Sequence, residues 1–145
     1  HLRVHRFAAL EPGSRLVVTG AVHGNETAGT VAIGQVMAQL DAGTLLILRG
    51  TVTFVPVTNP LAYALGQRAG ERNLNRDLFP KAEPVDFEDR VANWLCPLLA
   101  EHEVLLDLHS FQSPGAPFVL VQPSARMFDH EAQFGLRCGK QQRNL

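Results

Sequence analysis

The sequence predicts an α/β fold, with strands and helices alternating around a central sheet. Three observations carry that expectation. Short β-branched or apolar runs alternate with longer segments of helical spacing. Two of those runs lead into histidines at their carboxyl ends, where ligands collect in open α/β sheets. The chain has 145 residues, 46% hydrophobic and 19% charged, which is enough for one domain with a buried core and too little for two.

Leu2, Val4 and Phe7 predict an edge strand before the turn Glu11-Pro12-Gly13-Ser14, and Arg15 to Gly20 (RLVVTG) reads as a buried strand. A helix is expected from Thr27 to Ala42, where Val31, Ile33, Val36, Met37 and Leu40 recur at helical spacing and Gly43 supplies a stop. Thr51 to Thr58 (TVTFVPVT) suits a second core strand, with Pro56 near the end of its pairing. A short helical turn is expected from Pro60 to Leu65, then an irregular loop from Gly66 to Pro84 punctuated by Arg68, Arg72, Arg76 and Lys81. Phe87, Val91, Trp94, Leu95, Leu98 and Leu99 mark an amphipathic helix before Glu103. Val104 to His109 (VLLDLH) has the pattern of a central strand with a polar tip. A strand at Phe118–Gln122 and a helix from Ser124 to Gly139 complete the expected order.

Charge and cysteines exclude several roles. Lys and Arg number 13 against 14 Asp and Glu, a net charge of −1, which favours neither nucleic acid nor an anionic membrane surface. No apolar run approaches the roughly 20 residues of a membrane span. Cys96 and Cys138 are too few and too far apart for a disulfide framework or a metal knuckle, which fits a reducing, cytoplasmic setting. The start, His1-Leu2-Arg3-Val4, is neither a methionine start nor a signal peptide and suggests a trimmed N-terminus.

The chemistry concentrates in a few places. His23 and Glu26 form H-x-x-E in a glycine-flanked loop between strand and helix, and His109 ends another strand. Two imidazoles and one carboxylate make a zinc shell that leaves a fourth position for water or substrate. H-x-x-E is equally compatible with chance and with a glutamate stabilised by the first turn of a helix. Two arginines and an asparagine in one loop suit carboxylate recognition, because guanidinium groups bind carboxylates through paired, directional hydrogen bonds. Arg72 and Lys81 read as solvent-facing loop charges.

Three segments in order, Gly20-Ala21-Val22-His23-Gly24-Asn25-Glu26, Asn73-Leu74-Asn75-Arg76 and Asp107-Leu108-His109, together with Thr58-Asn59-Pro60, resemble the succinylglutamate desuccinylase/aspartoacylase family of the zinc-carboxypeptidase-like superfamily. The likeness runs from about Arg15 to Gln122. It implies a central mixed sheet flanked by helices, and one zinc per chain on His23, Glu26 and His109. It also implies substrate contacts from Arg68, Asn75 and Arg76, with Arg76 helping to polarise the scissile carbonyl. The implied reaction is hydrolysis of the amide bond of a small N-acyl amino acid or related acylated amine. A metallocarboxypeptidase and a non-catalytic zinc-binding domain are the competing expectations. Oligomeric state, acyl group and amine are not readable from the sequence.

Where the wider superfamily has aspartate in D-x-N-R, this chain has Asn73, which can accept an imidazole N–H but brings no charge. Asp107, two residues before His109, is placed either to support that histidine or to cap a loop. The family's general base is a glutamate well beyond the last zinc histidine, whereas only 36 residues follow His109 here (145 − 109). Their one glutamate, Glu131, sits outside any matching motif, so the base is unassigned and residues 1–145 are expected to be the N-terminal part of a longer catalytic domain. His102 is expected at a helix end, where a cation complements the dipole, and His130 on an exposed helix. Cys96, Met37 and Trp94 are expected in the core.

Overall fold

The computed structural model describes residues 2–111 and 113–120. The strands are β1 (His5–Ala8), β2 (Arg15–Gly20), β3 (Thr51–Val55) and β4 (Val104–Leu108). The helices are α1 (Ala28–Asp41), α2 (Pro60–Leu65) and α3 (Phe87–Ala100). The four strands form one mixed sheet in the order β1-β3-β2-β4. β1 runs antiparallel to β3, while β3 and β4 flank β2 in parallel, with Gly20 opposite Leu108. That register places the residues after β2 and after β4 at the same end of the sheet, side by side.

Side chains alternate across the sheet with a period of two, and each face has its own core. Val17 and Val55 face Leu74, Val91, Leu95 and Leu99, so the first core lies under α3 and the preceding loop. Val18 and Phe54 face Ile33, with Val36, Met37 and Leu40 packed behind, so the second lies under α1. Local chemistry sets the helix starts. Asn59 Oδ1 accepts the Ala62 N–H to cap α2, with Pro60 in its first turn. Asp86 Oδ1 accepts the Asp89 N–H to cap α3.

Several expectations need correction. Among the described residues β4 pairs on one side only, with β2, and Val104 and Leu106 are exposed. An apolar run reports burial potential, whereas edge or centre is decided by what pairs beside it. Trp94 is 76% exposed. It sits on the flank of α3, rotated away from the buried Val91, Leu95 and Leu99 stripe. His102 stands at the end of α3 as expected, its Nδ1–H donating to Leu98 O, but it is buried there and its Nε2 accepts from Thr53 Oγ1. Cys96 is partly buried and its thiol is pushed up to about 11 by desolvation, which suits a packing role. Phe118, Val119 and Leu120 carry no strand, and Val121 and Gln122 lie outside the described residues. The expected helix Ser124–Gly139, with His130, Glu131 and Cys138, lies outside them as well. Among the described residues no helix is long and apolar enough to cross a membrane.

Candidate metal centre

The loop after β2 begins with a backbone constraint. Ala21 is fully buried at φ 48°, in the left-handed region that costs a non-glycine residue roughly 1–2 kcal/mol. The turn is held by two strand-like bonds, Thr58 N–H to Gly20 O at 2.9 Å and Asn59 N–H to Ala21 O at 3.0 Å. It directs His23 inward and lays Gly24 against α2. His23 and Glu26 are both buried, at 2% and 5% exposure. His109 follows directly from β4, and the two imidazole rings stand 5.0 Å apart. Ligand atoms of His23, Glu26 and His109 lie within 4.8 Å of one another, a group that could hold a metal ion.

Each imidazole has its outer nitrogen tied. His23 Nε2–H donates to Asn73 Oδ1 at 3.2 Å, and His109 Nε2–H donates to Asp107 Oδ2 at 2.7 Å. Asp107 is itself fixed by the Thr19 hydroxyl at 2.6 Å, and Asn73 Oδ1 also accepts the Asn75 N–H at 2.9 Å. Both Nδ1 atoms therefore face Glu26. His109 Nδ1 is 2.9 Å from Oε2, which also accepts the Ser110 N–H at 3.0 Å. His23 Nδ1 is 2.9 Å from Oε1, but out of hydrogen-bond alignment, and is a buried nitrogen with no partner. With its proton on Nε2, that nitrogen presents a lone pair to a carboxylate oxygen, an arrangement that a cation between them would satisfy. The donor set of two imidazoles and one carboxylate fits zinc.

The charges respond to one another. Burial alone raises the Glu26 carboxyl, but contacts from His109 and His23 and the Ser110 N–H outweigh it and hold the group well below the usual carboxylate range. For His109, burial opposes the charged form, yet the hydrogen bonds to Asp107 and Glu26 win and the ring is pushed up to about 10. In metal-free protein the His109 imidazolium thus neutralises two carboxylates. Its folded value lies above the ordinary 6.5, so its stabilisation is complete below 6.5 and is lost as pH rises toward about 10. A metal entering the group must expel this proton. Apparent zinc affinity should accordingly rise by about tenfold per pH unit between about pH 7 and 9, while chelator-treated protein loses thermal stability over the same range. Thermal melts with and without chelator would check both; metal-free stability that climbs from about pH 7 to 9 would contradict this assignment of the proton.

The structure brings six of the sequence-predicted residues into one cluster of hydrogen bonds and close polar contacts: His23, Glu26, His109, Arg68, Asn73 and Asp107. Arg68 reaches Glu26 Oε1 at 2.9 Å while its side chain remains 55% exposed. Asn75 is buried and lines a small pocket with Thr19, Leu105 and Asp107. Arg76 is outside the cluster, exposed, with its guanidinium on the Asn75 carbonyl.

Arg72 and Lys81 do not simply face water. Arg72 bridges Asp86 at 2.7 Å and Asp89 at 2.6 Å, and Lys81 pairs with Asp89 at 2.7 Å. The Lys81 bond, then burial working against it, then the Val85 N–H and Arg72 fix Asp89 well below the usual carboxylate range. Sequence reasoning missed this acidic start of α3, together with the buried Glu88. The signal was present in Asp86-Phe87-Glu88-Asp89, a capping pattern dense in acids directly after a loop with four cations.

The catalytic-domain model of the succinylglutamate desuccinylase/aspartoacylase family matches residues 12–131. The chain belongs to that family. Among solved structures, an aspartoacylase family protein from Mesorhizobium loti is 30% identical, with a TM-score of 0.68 over 76% of this chain and 35% of its own. A succinylglutamate desuccinylase from Silicibacter sp. TM1040 is 27% identical, with a TM-score of 0.65 over 75% and 33%. The product-bound ectoine utilization protein EutE from Ruegeria pomeroyi is 26% identical, with a TM-score of 0.64 over 74% and 32%. The chain thus spans about a third of the length of each of these relatives. No curated protein matches it.

Proposed function

We propose that this chain carries the zinc-binding and substrate-carboxylate-binding part of a hydrolase that cleaves the amide bond of a small N-acyl amino acid or related acylated amine. The observation that carries the reading is the inward pair of Nδ1 atoms around Glu26, one of them buried and unpartnered. Family membership and the names of the similar structures support deacylation. The product-bound ectoine utilization protein supports a small-molecule substrate.

His23, Glu26 and His109 would hold one zinc ion, which when bound supplies Lewis acidity toward the amide carbonyl and lowers the pKa of water. Asn73 and Asp107 fix the two imidazoles with their lone pairs inward, and the charge on Asp107 increases the basicity of His109. Arg68, at the rim and already on a carboxylate oxygen, can exchange that partner for a substrate carboxylate. Asn75, on the same loop, would orient the substrate, and Arg76 would assist the charge that develops on the scissile carbonyl only by leaving the Asn75 carbonyl and turning inward. Glu131, outside the described residues, is not assigned as general base.

Zinc-loaded enzyme of the full length of its relatives should release the free amino acid from N-acyl amino acids in preference to cleaving peptides. The reverse preference would replace this reading with a carboxypeptidase, and zinc binding without either activity in that full-length enzyme would leave a binding domain. A further expectation concerns charge. In the complete, active enzyme, Arg68→Lys should lower kcat/KM for a carboxylate-bearing substrate by about 1.5–3 kcal/mol, tenfold to a hundredfold, because lysine cannot reproduce a paired guanidinium contact. A neutral analogue should lose much less. Equal losses on the two substrates would remove Arg68 from carboxylate recognition.

A further inference from the structure

Glu88 lies in the first turn of α3, on the same helical face as the core residues Val91, Leu95 and Leu99, and is fully buried. A buried carboxylate is costly unless donors fill its oxygens. Here Oε1 accepts Asn59 Nδ2–H at 2.9 Å and the Gly70 N–H at 3.2 Å, and Oε2 accepts the Arg72 N–H at 3.2 Å. Those donors come from two segments that brace the metal centre. Asn59 is bonded to Ala21, where the His23 loop begins. Gly70 and Arg72 lie between Arg68 and Asn73, and the loop passes so close that a Cβ on Gly70 would stand 2.4 Å from Glu88 Oε1. From the outer side, the Arg72 guanidinium holds the same loop to Asp86 and Asp89 and to the Asn73 carbonyl. An apolar side chain at this point of α3 would fill the core equally well; what the carboxylate adds is the fixed backbone at residues 70 and 72.

We propose that Glu88 is a positioning residue for the metal centre: by anchoring the backbone at Gly70 and Arg72 it sets Asn73 against His23 Nε2, and so aims His23 Nδ1 at the ion. The inference rests on the metal reading above and adds a residue that neither touches the ion nor contacts its ligands. Glu88→Gln is nearly isosteric but turns one acceptor into a donor, so at least one of the three N–H groups loses its partner.

The test is zinc affinity, measured by competition with a chromophoric chelator, for the wild-type protein, Glu88→Gln, Asn73→Ala and the double variant. Each single substitution should weaken zinc by about tenfold or more, the scale of losing a ligand's outer partner. The double variant should bind no worse than Asn73→Ala alone, because Glu88 acts through Asn73. Wild-type affinity in Glu88→Gln, or losses that multiply in the double variant, would overturn the proposal. A wild-type protein that binds no zinc would overturn the metal reading and this inference with it, whereas zinc binding unaffected by Glu88→Gln overturns the inference alone. Should Glu88→Gln fail to fold, Gly70→Ala crowds the same carboxylate from the loop side and goes through the same cycle with the same expected outcome.

Discussion

Zinc should be lost from His23→Ala and from His109→Ala, with affinity falling by more than the roughly hundredfold that removal of an outer partner costs. Each variant deletes one of the two inward nitrogens and leaves Glu26 with a single imidazole. His109→Ala has a second consequence. Asp107 and Glu26 both lose the imidazolium that neutralises them, so the metal-free protein should also be less stable below about pH 6.5, where that charge is complete. His102→Gln separates ligand loss from general damage. His102 is as buried as His23, yet its partners are Leu98 O and Thr53 Oγ1, far from Glu26 in the hydrogen-bond network, so zinc stoichiometry should survive there. Metal analysis of dialysed protein decides the matter: full stoichiometry in both alanine variants would reject the ligand set.

Gly24→Ala should be among the most damaging single substitutions in the chain. An added Cβ would lie 2.0 Å from the Ala62 carbonyl carbon, 2.1 Å from its oxygen and 2.2 Å from Tyr63 N. All three are backbone atoms, and α2 cannot retreat without breaking the Asn59 cap on Ala62 and the Asn59 bond to Ala21. Overpacking against atoms that cannot move should cost about 3 kcal/mol or more. In a domain of this size that corresponds to a fall in Tm on the order of 10 °C. Because the displaced loop carries His23 and Glu26, zinc should weaken as well. Gly34→Ala gives the opposite sign. A Cβ there meets nothing within 4 Å, and alanine in a helix interior stabilises by about 0.5–1 kcal/mol relative to glycine. Calorimetry on the pair checks both signs, and a Gly24→Ala protein that melts with the wild type would mean that α2 yields more easily than its bonds imply.

Strands and helices were legible because periodicity is local. The alternation in RLVVTG sends Val17 to one face and Val18 to the other whatever lies opposite, and the stripe through Val91, Leu95 and Leu99 marks a buried face on α3. The same locality explains the errors. Trp94 shares the spacing of that stripe but sits on its flank, and spacing alone does not say how wide the covering layer is. His102 does bond the helix end, but its burial against Thr53, nearly fifty residues earlier, is invisible to a reading of that end. Arg72 and Lys81 looked solvated because the acids that hold them stand on another element.

By itself the sequence determined the α/β alternation, the H-x-x-E loop and the histidine at the tip of VLLDLH, since each is written in the identity and spacing of neighbouring residues. Tertiary structure alone decided that β2 and β4 lie adjacent and parallel, which brings His109 onto Glu26 across 83 positions. It also decided that Arg68, and not Arg76, reaches the cluster, and that a buried glutamate ties the loop between them to the helix behind it. The physical reason is that side-chain type fixes which contacts a residue can make, while hydrogen-bond partners and burial depend on which distant segments the folded backbone places within about 3 Å.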